Sequence, residues 1–509
     1  MNTTSAAAPV AVNGSLDRMQ YRADPLADAT ISNILGSWQQ LPDAVAVAHL
    51  LSSGSLATVA TIATNWQPQW QKLAAVSQTF AHWSNNSSIA EWRAPSTGLA
   101  PQIGAALENY LQTGRSLPAW ADRGKLDRAE TVFMDYGVLS VTMLFCSSLP
   151  ECYVVPDLAA VLHATGQLEK HTDYRIRATG AMIFPVMMQG GLTEPDGGGI
   201  AQILKVRLIH ATVRNLILRG SPDAAMAALG VSQNGQHTLY AADAGIVPPL
   251  PFIAALGNMH QTLFALGWKT GAEGLPCNQE ELAYTLLTFS YVFLRSMRKL
   301  GLALPPADEE AYLHTWNVTG HVLGIERELM ADTMMEAEAL FARMQARGRA
   351  DRLSRPTIFD PRPALGNALM QAMEQVIPIA AIRPFPVLLT RYLCGPATSK
   401  DLGLNGPVAW LSRFLFAGGM FLIRAIDWLA RLVFADFSIA RLITRVFGYH
   451  LMSKLLMDQT RPLNLPRHLR DRVNAMMDHW SGDPKASGWM NSLEDAATIK
   501  GSWNAGPQK

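Results

Sequence analysis

Cysteine, charge and leader-like segments are what this 509-residue chain has least of. Its four cysteines, Cys146, Cys152, Cys277 and Cys394, are too few and too scattered for a disulfide framework or a zinc site. No C-x-x-C-H occurs to anchor a prosthetic group covalently, so a reducing compartment is expected. Charged residues make up 16%, and Lys+Arg 42 against Asp+Glu 41 leaves a net charge of +1. The basic excess of a nucleic-acid binder is therefore missing, and no nucleic-acid partner is expected. The first twenty residues show neither a positive stretch before an apolar core nor a twin-arginine pair. They read as part of a disordered lead over 1–25, and a cytoplasmic protein is expected.

Hydrophobic residues, at 49%, are abundant, and their spacing is helical. The pattern predicts an all-α protein in four further regions: 26–116, a core over 117–346, a C-terminal helical region over 347–479, and a loose tail over 480–509. Trp66 to Phe80 has amphipathic helical spacing, and Pro95 to Ile103 interrupts the first region. The Pro- and charge-rich stretch Gly348 to Pro363 suggests a linker or long surface loop. In the core, Asn278 with Glu281 three residues on resembles a capping box. The helix it opens should run to Gly301, and Asp308 should start the next.

The segment IAQILKVRLIHATVRNLILRG, 200–220, follows a Gly-rich turn and carries the most chemical information. His210 falls on one helical stripe with Ile203, Val206, Val213 and Ile217. An imidazole among apolar neighbours is how a heme iron is held from its proximal side. It is equally the pattern of a core histidine bonded to a carbonyl, and spacing alone favours that plainer reading. Lys205, Arg207, Arg214 and Arg219 lie near the stripe, as propionate partners or as solvated cations. Upstream, Arg175 and Thr179 are four apart and share a helix face, either over one pocket or at an ordinary surface.

Taken in order, R-x-x-x-T, a Gly-rich turn and VRLIHATVR resemble the family that unites bacterial rubber oxygenases with fungal ER-bound oxygenases of mycophenolic acid biosynthesis. The similarity extends from LPAWADRGKLDRAETVFMDYG, at Leu117, through LPCNQEELAYTLLTFSYVFLRSMRKLG and EEAYLHTWNVTGHVLGI to LLTRYLCG, ending at Gly395. The resemblance implies a globin-like helical core with additional N- and C-terminal helices and one non-covalent heme b. It implies that His210 is the proximal iron ligand, with Arg175 and Thr179 on the distal side. It further implies an oxygenase that takes dioxygen and a hydrophobic, isoprenoid or lipid-like small molecule.

Two positions depart from the family pattern. Ala178 stands where rubber oxygenases carry a lysine able to ligate iron, and the position of their catalytic glutamate falls near Ala159. Glu151, Asp157 and Glu169 are the nearby candidates to replace that base. The competing functions are a peroxidase- or dehydratase-like heme enzyme on a small hydrophobic metabolite, and a heme-binding sensor or carrier without turnover. His314 and His321, seven apart with Glu310 nearby, raise a metal site but fit pocket lining or core packing better. His163 is a candidate second partner for the pocket, His171 reads as a surface residue, and Trp268 and Trp316 read as core aromatics.

The remaining feature is the stretch 408–456. Its apolar runs are broken by charge too often to span a bilayer. Arg413, Arg424, Asp427 and Arg431 fall on one helical face, with leucines opposite and Phe414, Phe421 and Trp428 along a flank. This is the pattern of a helix lying in a membrane interface. A helix packed on the protein's own core or on a second subunit fits it equally, and the sequence leaves the oligomeric state open.

Overall fold

The computed structural model describes residues 13–36, 67–95, 98–164, 172–219, 263, 268, 273–355, 360–375, 377 and 379–433. Among them the chain is helical throughout, without a strand. The helices that matter most below are α1 (Pro25–Leu35), α2 (Pro101–Gly114), α3 (Arg123–Asp135), α4 (Thr172–Met187), α5 (Gly199–Arg219), α6 (Gln279–Phe289), α7 (Tyr291–Leu300), α8 (Pro306–Val322), α9 (Met334–Ser354), α10 (Phe385–Cys394) and α11 (Trp410–Val433). Helix α3 packs along α8, and α5 lies between α4 and α1, which in turn leans on α2.

Local chemistry explains most of the boundaries. Asp24 caps α1, whose first residue is Pro25, and Gly36 ends it. The Asn278 side chain accepts from the Glu281 amide at the start of α6, as the sequence suggests. Thr333 and Glu336 close a full capping box on α9. The turn before α5 is glycine for a steric reason: a Cβ on Gly197 would lie 2.3 Å from the carbonyl oxygen of Gly190. That close approach lets the Asn86 amide bond the carbonyls of Gly191 and Glu194 and accept from the Ile200 amide, fixing where α5 begins.

Three expectations are corrected. Residues 13–25 are not a disordered lead: Asn13–Met19 is a helix whose Leu16 and Met19 are fully buried. These two apolar residues, three apart, give the segment enough surface to hold it in the core. The helix opened by Asn278 does not run unbroken to Gly301. Ser290 separates α6 from α7, and its hydroxyl bonds back to the Leu286 carbonyl, a competition that bends helices. The stretch Gly348 to Pro363 is no linker at its start, because α9 runs through it to Ser354 with Gly348 buried against Val155 and Pro156. The residue ranges 1–12, 37–66 and 434–509 lie outside the described residues, and with them the expected tail and the end of the 408–456 stretch.

Helix α11 stands off from the rest. Its inner side is marked by buried Ser412 and by Phe416, which meets Phe385 edge-to-face. Arg424 donates to the Lys299 carbonyl and the Tyr392 hydroxyl. The opposite arc holds Trp410, Phe414 and Phe421, which are 76%, 68% and 74% exposed, with Leu411, Leu415 and Leu422 beside them. No single described helix is long and apolar enough to cross a membrane.

Candidate cofactor pocket

Helix α5 carries the central residue. Ile203 and Ile217 on the His210 stripe are fully buried, Val213 nearly so, and Val206 and His210 half-buried. The Nδ1 atom of His210 is shut off from solvent. Next to it Ile209 is 43% exposed, although most of α5 is deeply buried. One face of the helix, with Lys205, Val206, Ile209 and His210 along it, is thus covered less than the rest. Burial without a carboxylate partner among the described residues pushes the Lys205 ammonium down to about 8. A face that sets an imidazole beside Val206 and Ile209, with a cation five residues before it, fits a flat apolar macrocycle bearing carboxylate tails.

The two arginines flanking His210 are differently engaged. Arg207 is clamped on Asp24 through Nε and Nη2, the latter at 2.7 Å, while its Nη1 donates to the Val322 carbonyl at 2.9 Å. Arg214 grips both oxygens of Asp28 from Nε, at 3.0 and 3.1 Å, and donates through Nη1 to the Cys277 carbonyl at 2.7 Å. Burial works against both charges, but Asp24 and Asp28 outweigh it and hold the two guanidiniums above their ordinary range. The three nitrogens of each side chain thus already have protein acceptors, so Arg207 and Arg214 brace α5 against α1. Lys205 is left as the cation facing the less covered side. Arg219 is also buried and donates to the Gly36 carbonyl. Asp24 and Asp28 escaped the sequence reading, although an acidic pair four apart at the start of a Pro-initiated helix was a visible signal.

Helix α4 packs against α5 and carries Arg175, Ala178 and Thr179. Thr179 is half-buried, and the side chains of His163, Arg175 and Ala178 lie outside the described residues. The helix confirms that Arg175 and Thr179 share a face, on an element adjacent to the one that carries His210.

Two of the three carboxylates considered as substitutes for a base are occupied. Glu151 is buried and accepts from Arg295 at 2.6 Å, Gln345 at 2.6 Å and Thr398 at 3.0 Å. Asp157 receives both Nη atoms of Arg355. Ala159 is fully buried, and Glu169 and His171 lie outside the described residues. The two histidines that raised a metal site are engaged with other groups. His314 Nε2 accepts from the Asp122 amide at 2.9 Å, His314 and His321 both meet the Trp120 ring edge-on, and no metal-holding cluster occurs among the described residues. Trp316 is fully buried, and Trp268 donates to the Gly274 carbonyl from within the core.

Comparison with known proteins adds three findings. Residues 251–425 match the catalytic-domain model of the ER-bound oxygenase mpaB/B' and rubber oxygenase family. That stretch begins after α5, so it includes none of Arg175, Thr179 and His210. The chain is 22% identical to the rubber oxygenase of Streptomyces sp. (strain K30) over 337 residues, which cover 65% of this chain and 63% of that protein. The structure of latex clearing protein in the closed state superposes with a TM-score of 0.50 at 18% identity, over 91% of this chain and 90% of that one. This last likeness concerns the fold. In part of its core sequence the chain is thus similar to the family of rubber oxygenases and ER-bound oxygenases, and in its helical architecture to latex clearing protein.

Proposed function

We propose that the protein is a heme b-dependent oxygenase that acts with dioxygen on a hydrophobic, isoprenoid or lipid-like small molecule. The observation that carries this reading is the thinly covered face of α5, with His210 beside Val206 and Ile209 and Lys205 five residues before it. When bound, heme supplies the iron on which dioxygen is activated. His210 would hold that iron, and Lys205 would neutralise a propionate. The Arg207–Asp24 and Arg214–Asp28 pairs fix the height and rotation of α5, and so the direction of the imidazole. Arg175 and Thr179 supply the distal guanidinium and hydroxyl, donors suited to charge that develops on oxygen. Ala178 and Ala159 stand at the two departing positions, and among the described residues the candidate bases Glu151 and Asp157 are both held by arginines.

The test is the visible spectrum and pyridine hemochrome of the purified protein. About one heme b per chain is expected, most of it lost in His210→Ala and retained in His314→Ala. Wild-type heme content in His210→Ala would remove the assignment. Oxygen uptake with substrate separates the oxygenase from a peroxidase- or dehydratase-like enzyme and from a carrier without turnover.

We infer further that the protein is cytoplasmic and attaches peripherally to a membrane through α11. What supports this is the outward arc of Trp410, Leu411, Phe414, Leu415, Phe421 and Leu422, with Arg413 and Arg424 along its edge. That arrangement suits a substrate delivered from lipid.

A further inference from the structure

Away from the α5 face, seven helical elements converge on a narrow cavity of about 20 Å³. Six of its eleven lining side chains are aromatic: Phe133, Phe184, Phe289, Phe293, Tyr312 and Trp316. They stand in pairs. Phe133 meets Phe184 edge-to-face at 5.4 Å, Phe289 stacks on Trp316 at 5.6 Å, and Phe293 stacks on Tyr312 at 4.7 Å. Rings locked in pairs cannot collapse inward, which keeps the space open.

Two features set this cavity apart from a packing defect. One wall comes from Leu144 and Ser148, at the two ends of the π-helical turn Leu144–Ser148. Such turns are rare and are concentrated at functional sites. A second wall comes from Ile183, which lies four residues after Thr179 on α4 and therefore on the same face of that helix. The cavity thus sits one helical turn inward from the threonine assigned to the distal side.

The chemistry of the lining selects the occupant. The space is on the scale of one small molecule. A buried water needs about three hydrogen bonds, but the cavity wall is overwhelmingly apolar. Ser140 Oγ and Trp316 Nε1, both in lining residues, make no hydrogen bond with the protein. Two such groups are fewer than the three partners a buried water typically takes, whereas a small apolar molecule gains by leaving bulk solvent.

We propose that this aromatic-walled cavity binds a small apolar gas, dioxygen in the working protein, and holds it one turn from Thr179 on the face of α4. The role for dioxygen rests on the oxygenase reading above, while the binding itself does not.

The experiment is xenon pressurisation of crystals of the full chain, paired with dioxygen association measured by flash photolysis. Xenon should occupy the cavity in the wild type and in Ser140→Ala, which removes the unbonded hydroxyl without filling the space. Val141→Ile adds one methyl to the lining, a change small enough to fold. It should exclude xenon and slow dioxygen association severalfold at unchanged heme content. An ordered water in place of xenon would overturn the proposal, as would an unchanged association rate in a Val141→Ile variant that has lost its xenon. Heme content, measured first, reports separately on the oxygenase reading, because xenon binding requires no heme.

Discussion

Arg207 and Asp24 are 183 positions apart in the chain, yet each is nearly inaccessible and each depends on the other. A buried pair of this kind adds little over a well-packed apolar substitute, but removing one partner leaves an uncompensated charge in the core. Asp24→Ala is therefore expected to destabilise the fold by about 3–5 kcal/mol in urea unfolding. Asp24→Asn, which keeps one acceptor, should cost less. The site has no slack, since a Cβ on Gly324 would lie 2.6 Å from Asp24 Oδ2 at a φ of +89°. An Asp24→Ala variant as stable as wild type would show that the pair does not brace α5. Glu281 poses the opposite case. Burial, reinforced by the nearby Asp157 charge, holds its carboxyl well above the ordinary carboxylate range, and burial raises neighbouring Glu280 to about 7. The folded chain thus keeps a proton on Glu281 at pH values where the unfolded chain has lost it. Stability from this group is full below the ordinary carboxylate range and declines as pH rises above it. Glu281→Gln removes that dependence and should stabilise the protein by about 1 kcal/mol or more at pH 8, with no gain near pH 4. Equal effects on the melting temperature at both pH values would contradict this assignment.

Among the elements, α11 provides the clearest test. Its apolar arc faces away from α10, and Arg413 and Arg424 lie between that arc and the inner side. Arginines placed so meet anionic headgroups while the rings enter the acyl boundary. The double variant Arg413→Glu, Phe421→Glu should lose flotation with anionic liposomes while keeping its circular dichroism, and raised salt should weaken the wild type. Wild-type protein that never floats with such liposomes would remove the membrane role. The same helix shows how far element-level reading goes. Its amphipathic period was plain in the sequence, but which side met the body depended on Ser412, Phe416 and the Arg424 contact to Lys299, all tertiary. The cap at Asn278 was legible because its chemistry is local, while the equally local signals at Asp24 and Thr333 went unread. The distortion at Ser290 was not legible, because a lone serine in an apolar run carries no signal until its hydroxyl finds the Leu286 carbonyl. Proline content made 348–363 look like a linker, although α9 already had enough apolar contact to continue through Gly348.

At the scale of the whole molecule, the candidate site depends on parts of the chain far from it in sequence. The period around His210 and the order of motifs after Leu117 were legible, since both lie in contiguous segments. The bracing was not, because it joins the N-terminal segment to α5. Leu16 and Met19 are buried, Asp17 pairs with Arg347, and Arg22 bonds Glu326 at 2.6 Å. The Leu275 amide donates to the Gln20 carbonyl and the Gln279 amide to that of Arg22, so the loop before α6 is built on this segment. Removing residues 1–24 would strip these contacts and leave Arg207 buried without its counter-charge. The truncated chain should unfold at lower urea than Asp24→Ala, which loses only the last of them. If the bracing of α5 aims His210, heme retention should fall in the order wild type, Asp24→Ala, truncation, even in conditions where all three remain folded by circular dichroism. Full heme content and an unshifted Soret band in the folded truncated chain would separate the N-terminal segment from the site and leave it a purely structural role.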